Sequence, residues 1–142
     1  MDQIIEAYHI HLSKILTTPN AKEGMRRFGN WNLVLNCDIE DFFHVPESTQ
    51  WGHPLGIIIG RGVRMGERCV FRQGVTIGEK YRRGGPYPTL GHNVDVGAGT
   101  IIIGDCTIGD NVLIGAGTFI NRDVPSNSVV YTKKELVIKE KK

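Results

Sequence analysis

The stretch from Leu90 to Pro125 reads LGHNVD VGAGTI IIGDCT IGDNVL IGAGTF INRDVP, and every unit of six opens on a branched aliphatic residue. These residues are Leu90, Val96, Ile102, Ile108, Ile114 and Ile120. A helix repeats at about 3.6 residues and a strand at about two, so a strict six fits neither. A solenoid that turns a corner every six residues does fit, because each wall delivers a side chain inward. Four places after each aliphatic stand Val94, Thr100, Cys106, Val112, Thr118 and Val124, compact or β-branched residues suited to a packed wall. Residues just after the aliphatics, such as Gly91, Gly97, Gly109, Asp110, Asn111, Gly115 and Asn121, are expected to supply positive φ at the corners. Three walls of six make a coil of about eighteen residues, and stacked coils pair as parallel strands about 4.8 Å apart.

The same grammar runs upstream in two other phases. Ile59, Met65, Phe71 and Ile77 open units with Val63, Cys69 and Val75 at the compact place; before them Ile39, Val45, Trp51 and Ile57 keep the six-residue step. The register is therefore expected to slip twice, by two residues around Ile57–Ile59 and again across a loop at 79–89. A slip turns side chains off their face and must be absorbed by a bulge or an excursion. Breaks in a regular pattern are where function is worth seeking.

The chain has 142 residues and a net charge of +2. That fits one domain and gives no basic excess of the kind that marks a nucleic-acid binder. No apolar run approaches the roughly 20 residues of a membrane span, and no signal-like segment opens the sequence. Cys37, Cys69 and Cys106 form no paired framework, so reduced thiols in a cytoplasmic protein are expected.

Residues 1–32 differ in character. Ile4, Ile5, Tyr8, Leu12, Ile15 and Leu16 share one helical face, which predicts a helical cap over the first coil. His9 and His11 point apart on such a helix, so no metal site is expected there. The β-helix is expected over 33–128, followed at 129–142 by a closing strand and a lysine-rich tail.

Residues 33–130, roughly two thirds of the chain, resemble the hexapeptide-repeat acyltransferases with a left-handed parallel β-helix. The segments HPLGIIIG, FRQGVTIG and LGHNVDVGAGTIIIGDCTIGDNVLIGAGTFINRDVP are most similar to the serine acetyltransferase family and to the short enzymes that O-acetylate bacterial surface polysaccharides. The resemblance implies a homotrimer, acetyl-CoA bound between subunits, direct transfer to a hydroxyl, and no metal. It also implies that His53 is the general base and that Asp38, fifteen residues earlier, orients it. An imidazole held in one tautomer by a carboxylate suits this task at neutral pH. By family position Gly78, Ala98 and Ala116 line the pantetheine path, and Lys133 and Lys134 are candidates for the CoA phosphates.

Three departures bear on the acceptor. The aspartate that precedes the base in serine acetyltransferases is Gly52 here, and the Arg-His pair of their excluded loop is matched by Pro86 and Tyr87. The family's Gly-x-Pro-Ala-Arg stretch is replaced near Tyr131–Glu135. A zwitterion needs charged partners that a sugar hydroxyl does not, and Tyr81, Tyr87 and Trp51 offer rings for stacking on a saccharide. Arg82 and Arg83 in the loop supply an alternative carboxylate partner, so the serine reading stays open. A noncatalytic trimeric scaffold is a reading from another class. A carbonic-anhydrase-like zinc site is disfavoured because His53 and His92 are far apart in sequence.

Overall fold

The computed structural model describes residues 37–39, 45–81, 84–133 and 135–141. The expected helical cap, His44, Arg82, Arg83, Lys134 and the Asp38 side chain lie outside the described residues. Among the described residues all regular structure is β, in thirteen short strands on three parallel walls. The first wall stacks β1 (Asp38–Ile39), β3 (Ile58–Ile59), β6 (Thr76–Gly78), β9 (Ile101–Ile103) and β12 (Phe119–Ile120). The second stacks β4 (Arg64–Met65), β7 (Thr89–Leu90) and β10 (Thr107–Ile108). The third stacks β2 (Gln50–Trp51), β5 (Val70–Phe71), β8 (Asp95–Val96), β11 (Leu113–Ile114) and β13 (Val129–Val130). This is the three-walled parallel coil that the period of six predicts, and the left-handed β-helix that the family resemblance implies.

Burial follows that period closely. The six opening aliphatics from Leu90 to Ile120 and the compact residues from Val94 to Val124 all lie in the interior. Burying a side chain of Val or Leu size stabilises by about 1.5–3 kcal/mol, so the central column is the main source of stability. Thr100 and Thr118 enter the same interior because their hydroxyls have a partner: both donate to the Gly115 carbonyl, at 3.2 and 2.6 Å.

Of the residues expected to supply positive φ at the corners, Asn111 does so, and Gly91, Gly97, Gly109, Asp110, Gly115 and Asn121 do not. Positive φ falls at Asn93, Asn111 and Asn127 on one edge, and at Gly56, Gly74, Gly99 and Gly117 on another. The glycines directly after the aliphatics meet a different demand. A Cβ on Gly97 would lie 2.5 Å from the Ala116 backbone nitrogen, so these glycines let consecutive coils approach. The asparagine edge carries its own ladder, with the Asn93 amide donating to Asn111 Oδ1 at 2.9 Å and the Asn111 amide donating to Asn127 Oδ1 at 3.0 Å.

The strand register locates the slips. β3 to β6 pairs Ile59 with Ile77, the regular step, but β1 to β3 pairs Ile39 with Ile59. Ile39 therefore lies below Ile59, not below Ile57 as a strict step would have it, because two extra residues sit between Trp51 and Ile59. The second slip lies between β6 and β7, and Thr76 accordingly pairs with Ile101. A third slip was not anticipated. Val124 bridges to Ile108 and Val129 pairs with Leu113, so the last coil is two residues short. Asp123 covers the deficit: its carboxylate accepts the Thr107 backbone N–H at 2.7 Å, where a ladder carbonyl would otherwise be.

The outer faces differ too. Ile58, Thr76, Ile101 and Phe119 stand in register on the first wall, with Ile58 and Phe119 about half exposed. The second wall presents Arg64, Thr89 and Thr107 instead.

Candidate active site at a glycine corner

The first slip puts His53 on a short exposed bulge, Gly52–Gly56, between β2 and β3. The bulge is fastened at both ends to the coil above. Gly52 N–H donates to the Phe71 carbonyl at 2.9 Å, and Gly74 N–H donates to the Leu55 carbonyl at 2.9 Å. A tight internal turn, Leu55 N–H to the His53 carbonyl at 2.8 Å, shapes its middle. From below, the buried Cys37 thiol donates to the Pro54 carbonyl at 3.2 Å and accepts the Ile57 N–H at 3.4 Å. Burial pushes the Cys37 thiol pKa up, keeping the donating proton in place.

Asp38 follows Cys37 and its backbone pairs with Ile58. The chain thus brings position 38 to the floor of the His53 bulge, since its immediate neighbour bonds to Pro54.

Above the bulge the same corner continues through three more coils. Leu55, Gln73, Ala98 and Ala116 each precede one of the left-handed glycines, joined by Gly99 N–H to the Gln73 carbonyl at 2.9 Å and Gly117 N–H to the Ala98 carbonyl at 2.8 Å. His53, Ala98 and Ala116 therefore share one edge of the solenoid, with only methyl side chains over its upper part. Gly78 is not on that edge. It ends β6 on the first wall, where a Cβ would meet nothing within 4 Å.

The excluded loop is organised by two contacts. The Glu79 carboxylate accepts the N–H groups of Gly84 and Gly85 at 2.9 and 3.2 Å. The Tyr87 ring lies on Gly60 and Gly62, so closely that a Cβ on Gly62 would be 2.0 Å from ring carbon Cδ2. Tyr87 packs against the core, as does Trp51, whose ring centroid is 5.5 Å from that of Phe71. Tyr81 is 66% exposed and has the Lys80 ammonium 5.3 Å from its ring centre. Lys133 is exposed on the tail.

Sequence reasoning overlooked Arg72. It occupies the place after Phe71 that Gly52, Gly97 and Gly115 occupy after Trp51, Val96 and Ile114 in the paired strands. An arginine in a column of glycines was the available signal. Its guanidinium forms a two-pronged ion pair with Asp95, Nη2 to Oδ2 at 3.3 Å, and the pair raises the Arg72 pKa. The site of a Cβ on Gly52 is 3.3 Å from Arg72 Cγ.

Among the described residues no cluster of His, Cys, Asp and Glu is placed to hold a metal, and no helix is long and apolar enough to cross a membrane.

Comparison with known proteins agrees with this architecture. Residues 87–122 match the family described as bacterial transferase hexapeptide (six repeats). A serine acetyltransferase of Synechococcus elongatus is 46% identical over 79 residues, covering 55% of this chain and 32% of the relative. The Escherichia coli protein named as a colanic acid biosynthesis acetyltransferase, WcaB, is 38% identical over 85 residues, covering 60% of this chain and 52% of the relative. Among solved structures, serine acetyltransferase isoform 3 of Entamoeba histolytica in complex with cysteine superposes with a TM-score of 0.65 at 28% identity, over 80% of this chain and 41% of that one. The Neisseria gonorrhoeae serine acetyltransferase in complex with serine gives 0.55 at 32%, over 58% and 34%. The chain thus spans about a third to a half of the length of these relatives. Residues 87–122 of the coil thus match the bacterial transferase hexapeptide repeat, and the chain is similar in sequence and fold to serine acetyltransferases and in sequence to an acetyltransferase named for colanic acid biosynthesis.

Proposed function

We propose that the protein is an acetyl-CoA-dependent O-acetyltransferase with His53 as general base and a saccharide hydroxyl as acceptor. The observation that carries this reading is the placement of His53 on an exposed bulge at the foot of the edge that bears Ala98 and Ala116. A narrow edge without bulky side chains suits an extended pantetheine arm, and the thioester supplies an acetyl group already activated for transfer. His53 takes the hydroxyl proton as the acceptor oxygen forms its bond to the acetyl carbon, and the proton returns to the departing thiolate. Asp38, on the floor of the bulge, holds the imidazole in the tautomer whose other nitrogen faces the hydroxyl. Lys133 and Lys134 would meet the CoA phosphates.

The active unit in this reading is a homotrimer. The apolar stripe Ile58–Thr76–Ile101–Phe119 on the first wall is the surface that a second copy would cover, and Gly78 on that wall then serves a neighbour's site. Three buried cysteines that form no disulfide suit a reducing compartment such as the cytoplasm.

For the acceptor, Gly52 in place of an acidic residue removes a partner for an ammonium group, and the similarity to a protein named for colanic acid biosynthesis favours a sugar. The serine reading has its own support in the similarity to a serine acetyltransferase crystallised with serine. In that case Arg82 or Arg83 would hold the carboxylate. Tyr81, the most exposed of the three candidate rings, is the better platform for a sugar, with Trp51 and Tyr87 packed on the core.

The test is release of free thiol from acetyl-CoA with L-serine and a set of oligosaccharides as acceptors. His53→Ala is expected to lower turnover by about 10²- to 10⁴-fold while the trimer stays assembled. Near-normal turnover of that variant would remove His53 from the mechanism.

A further inference from the structure

The two hydrogen bonds that fasten the His53 bulge to the coil above, at Phe71 and at Gly74, leave two residues between them, Arg72 and Gln73. These two residues border the bulge that carries His53 on the side of the coil above, where Arg72 Cγ is 3.3 Å from the site of a Cβ on Gly52. Gln73 is exposed, and Arg72 keeps 39% of its side-chain surface in solvent although it is ion-paired. Its neighbours in the column, Gly52 below and Gly97 above, have no side chain, and the next side chain in it is Tyr131, beyond Gly115, so Arg72 fills the shelf beside the bulge.

Its chemistry is specific. Asp95 engages Nη1 and Nη2, one N–H from each, while a guanidinium has five N–H donors in a rigid plane. The pair has no net charge, yet it presents fixed donors along one edge and carboxylate lone pairs along the other. Such a plate matches adjacent hydroxyls, which both donate and accept, better than it matches an isolated charge.

We propose that Arg72, held by Asp95, is an acceptor-binding residue whose free guanidinium edge hydrogen-bonds the hydroxyls flanking the one that is acetylated. The proposal rests on the saccharide reading above and assigns it a recognition element. Acceptors with a vicinal diol beside the reactive hydroxyl are the favoured class. Because the plate is rigid, losing it leaves sugar hydroxyls unpaired in the complex and weakens binding of the acceptor without touching the donor.

The experiment measures KM and kcat for the full chain and its Arg72→Leu, Arg72→Lys and Asp95→Asn variants. Acceptors are neutral gluco- and galacto-oligosaccharides, their deoxy analogues, glucuronate-containing oligosaccharides and L-serine. Arg72→Leu is expected to raise the saccharide KM by about 10- to 100-fold, to leave the acetyl-CoA KM within about twofold, and to erase the difference between sugars and their deoxy analogues. Arg72→Lys should recover little, since a point charge lacks the planar fork, and Asp95→Asn should fall between. A saccharide KM unchanged in Arg72→Leu, or a matching rise in the acetyl-CoA KM, overturns the role of Arg72 and leaves the saccharide reading standing. A wild-type chain that acetylates serine and none of the sugars, or no acceptor at all, overturns the saccharide reading itself and this assignment with it.

Discussion

The Cys37 thiol donates to the Pro54 carbonyl across 3.2 Å and accepts the Ile57 N–H on its other side. One small side chain thus ties both limbs of the His53 bulge to the coil beneath. Because Ile57 is fully buried, water cannot replace the bond to its N–H, whereas the Pro54 carbonyl is only partly buried. Cys37→Ala should therefore cost about 1–3 kcal/mol in urea unfolding, the penalty for an orphaned buried donor. Cys37→Ser, which keeps a donor and an acceptor, should cost less. Equal stability of the two variants would show that the thiol acts only by filling space.

A second thiol sets an alkaline limit. Burial first, then the charges of Asp123 and Asp105, push the Cys106 pKa from 9.0 to about 11. The native state then holds its proton at pH values where the unfolded chain has lost it. The stabilising contribution is complete below pH 9 and disappears as pH rises to about 11. Unfolding midpoints measured at pH 8 and pH 10.5 should show that loss. In Cys106→Val the slope should be shallower, and an identical slope would place the alkaline transition elsewhere.

The excluded loop is pinned by an aromatic ring lying on glycine. Gly62→Ala would put a methyl group 2.0 Å from a Tyr87 ring carbon, so the ring has to leave its seat. A loss of about 1–3 kcal/mol is expected. The cost should nearly vanish in a Tyr87→Ala background, giving a coupling energy of at least about 1 kcal/mol in a double-mutant cycle. Strict additivity would mean that the loop reaches its position by other contacts.

His92 is a corner residue with a bonding duty, since its Nδ1 accepts the Glu67 backbone N–H at 2.9 Å and its backbone N–H donates to Asp110 Oδ1 at 2.7 Å. His92→Ala removes the first of these bonds and should cost about 0.5–1 kcal/mol. His92→Asn offers an oxygen near the place of the ring nitrogen and should recover much of that loss. Thermal melts of the three proteins decide the matter, and indistinguishable melting points would count against the bond.

The interior was legible in the sequence because the spacing of side chains that face inward is set by wall geometry, which admits few alternatives. Corners were less legible. Gly97 and Gly99 are the same residue type two places apart, yet one permits close stacking and the other a positive φ, a distinction composition does not carry. The shortened last coil left no apolar trace either, because Ile120 and Val124 have the right chemistry for both registers and Asp123 substitutes for a carbonyl. Of the site, the register break around Ile57–Ile59 was legible, and it is this break that puts His53 on an exposed bulge. The Arg72–Asp95 pair escaped the sequence reading because the excluded loop lengthens that coil. A count of eighteen from Arg72 ends on Leu90 instead of Asp95.

A solenoid made of equal turns offers each rim as a template for the next turn. Here the two-residue deficit before Val124 narrows the turn from Ile108 to Val124, and Asp123 takes the Thr107 N–H that a stacked carbonyl would otherwise accept. A full-sized turn laid on this one would therefore meet a displaced ladder.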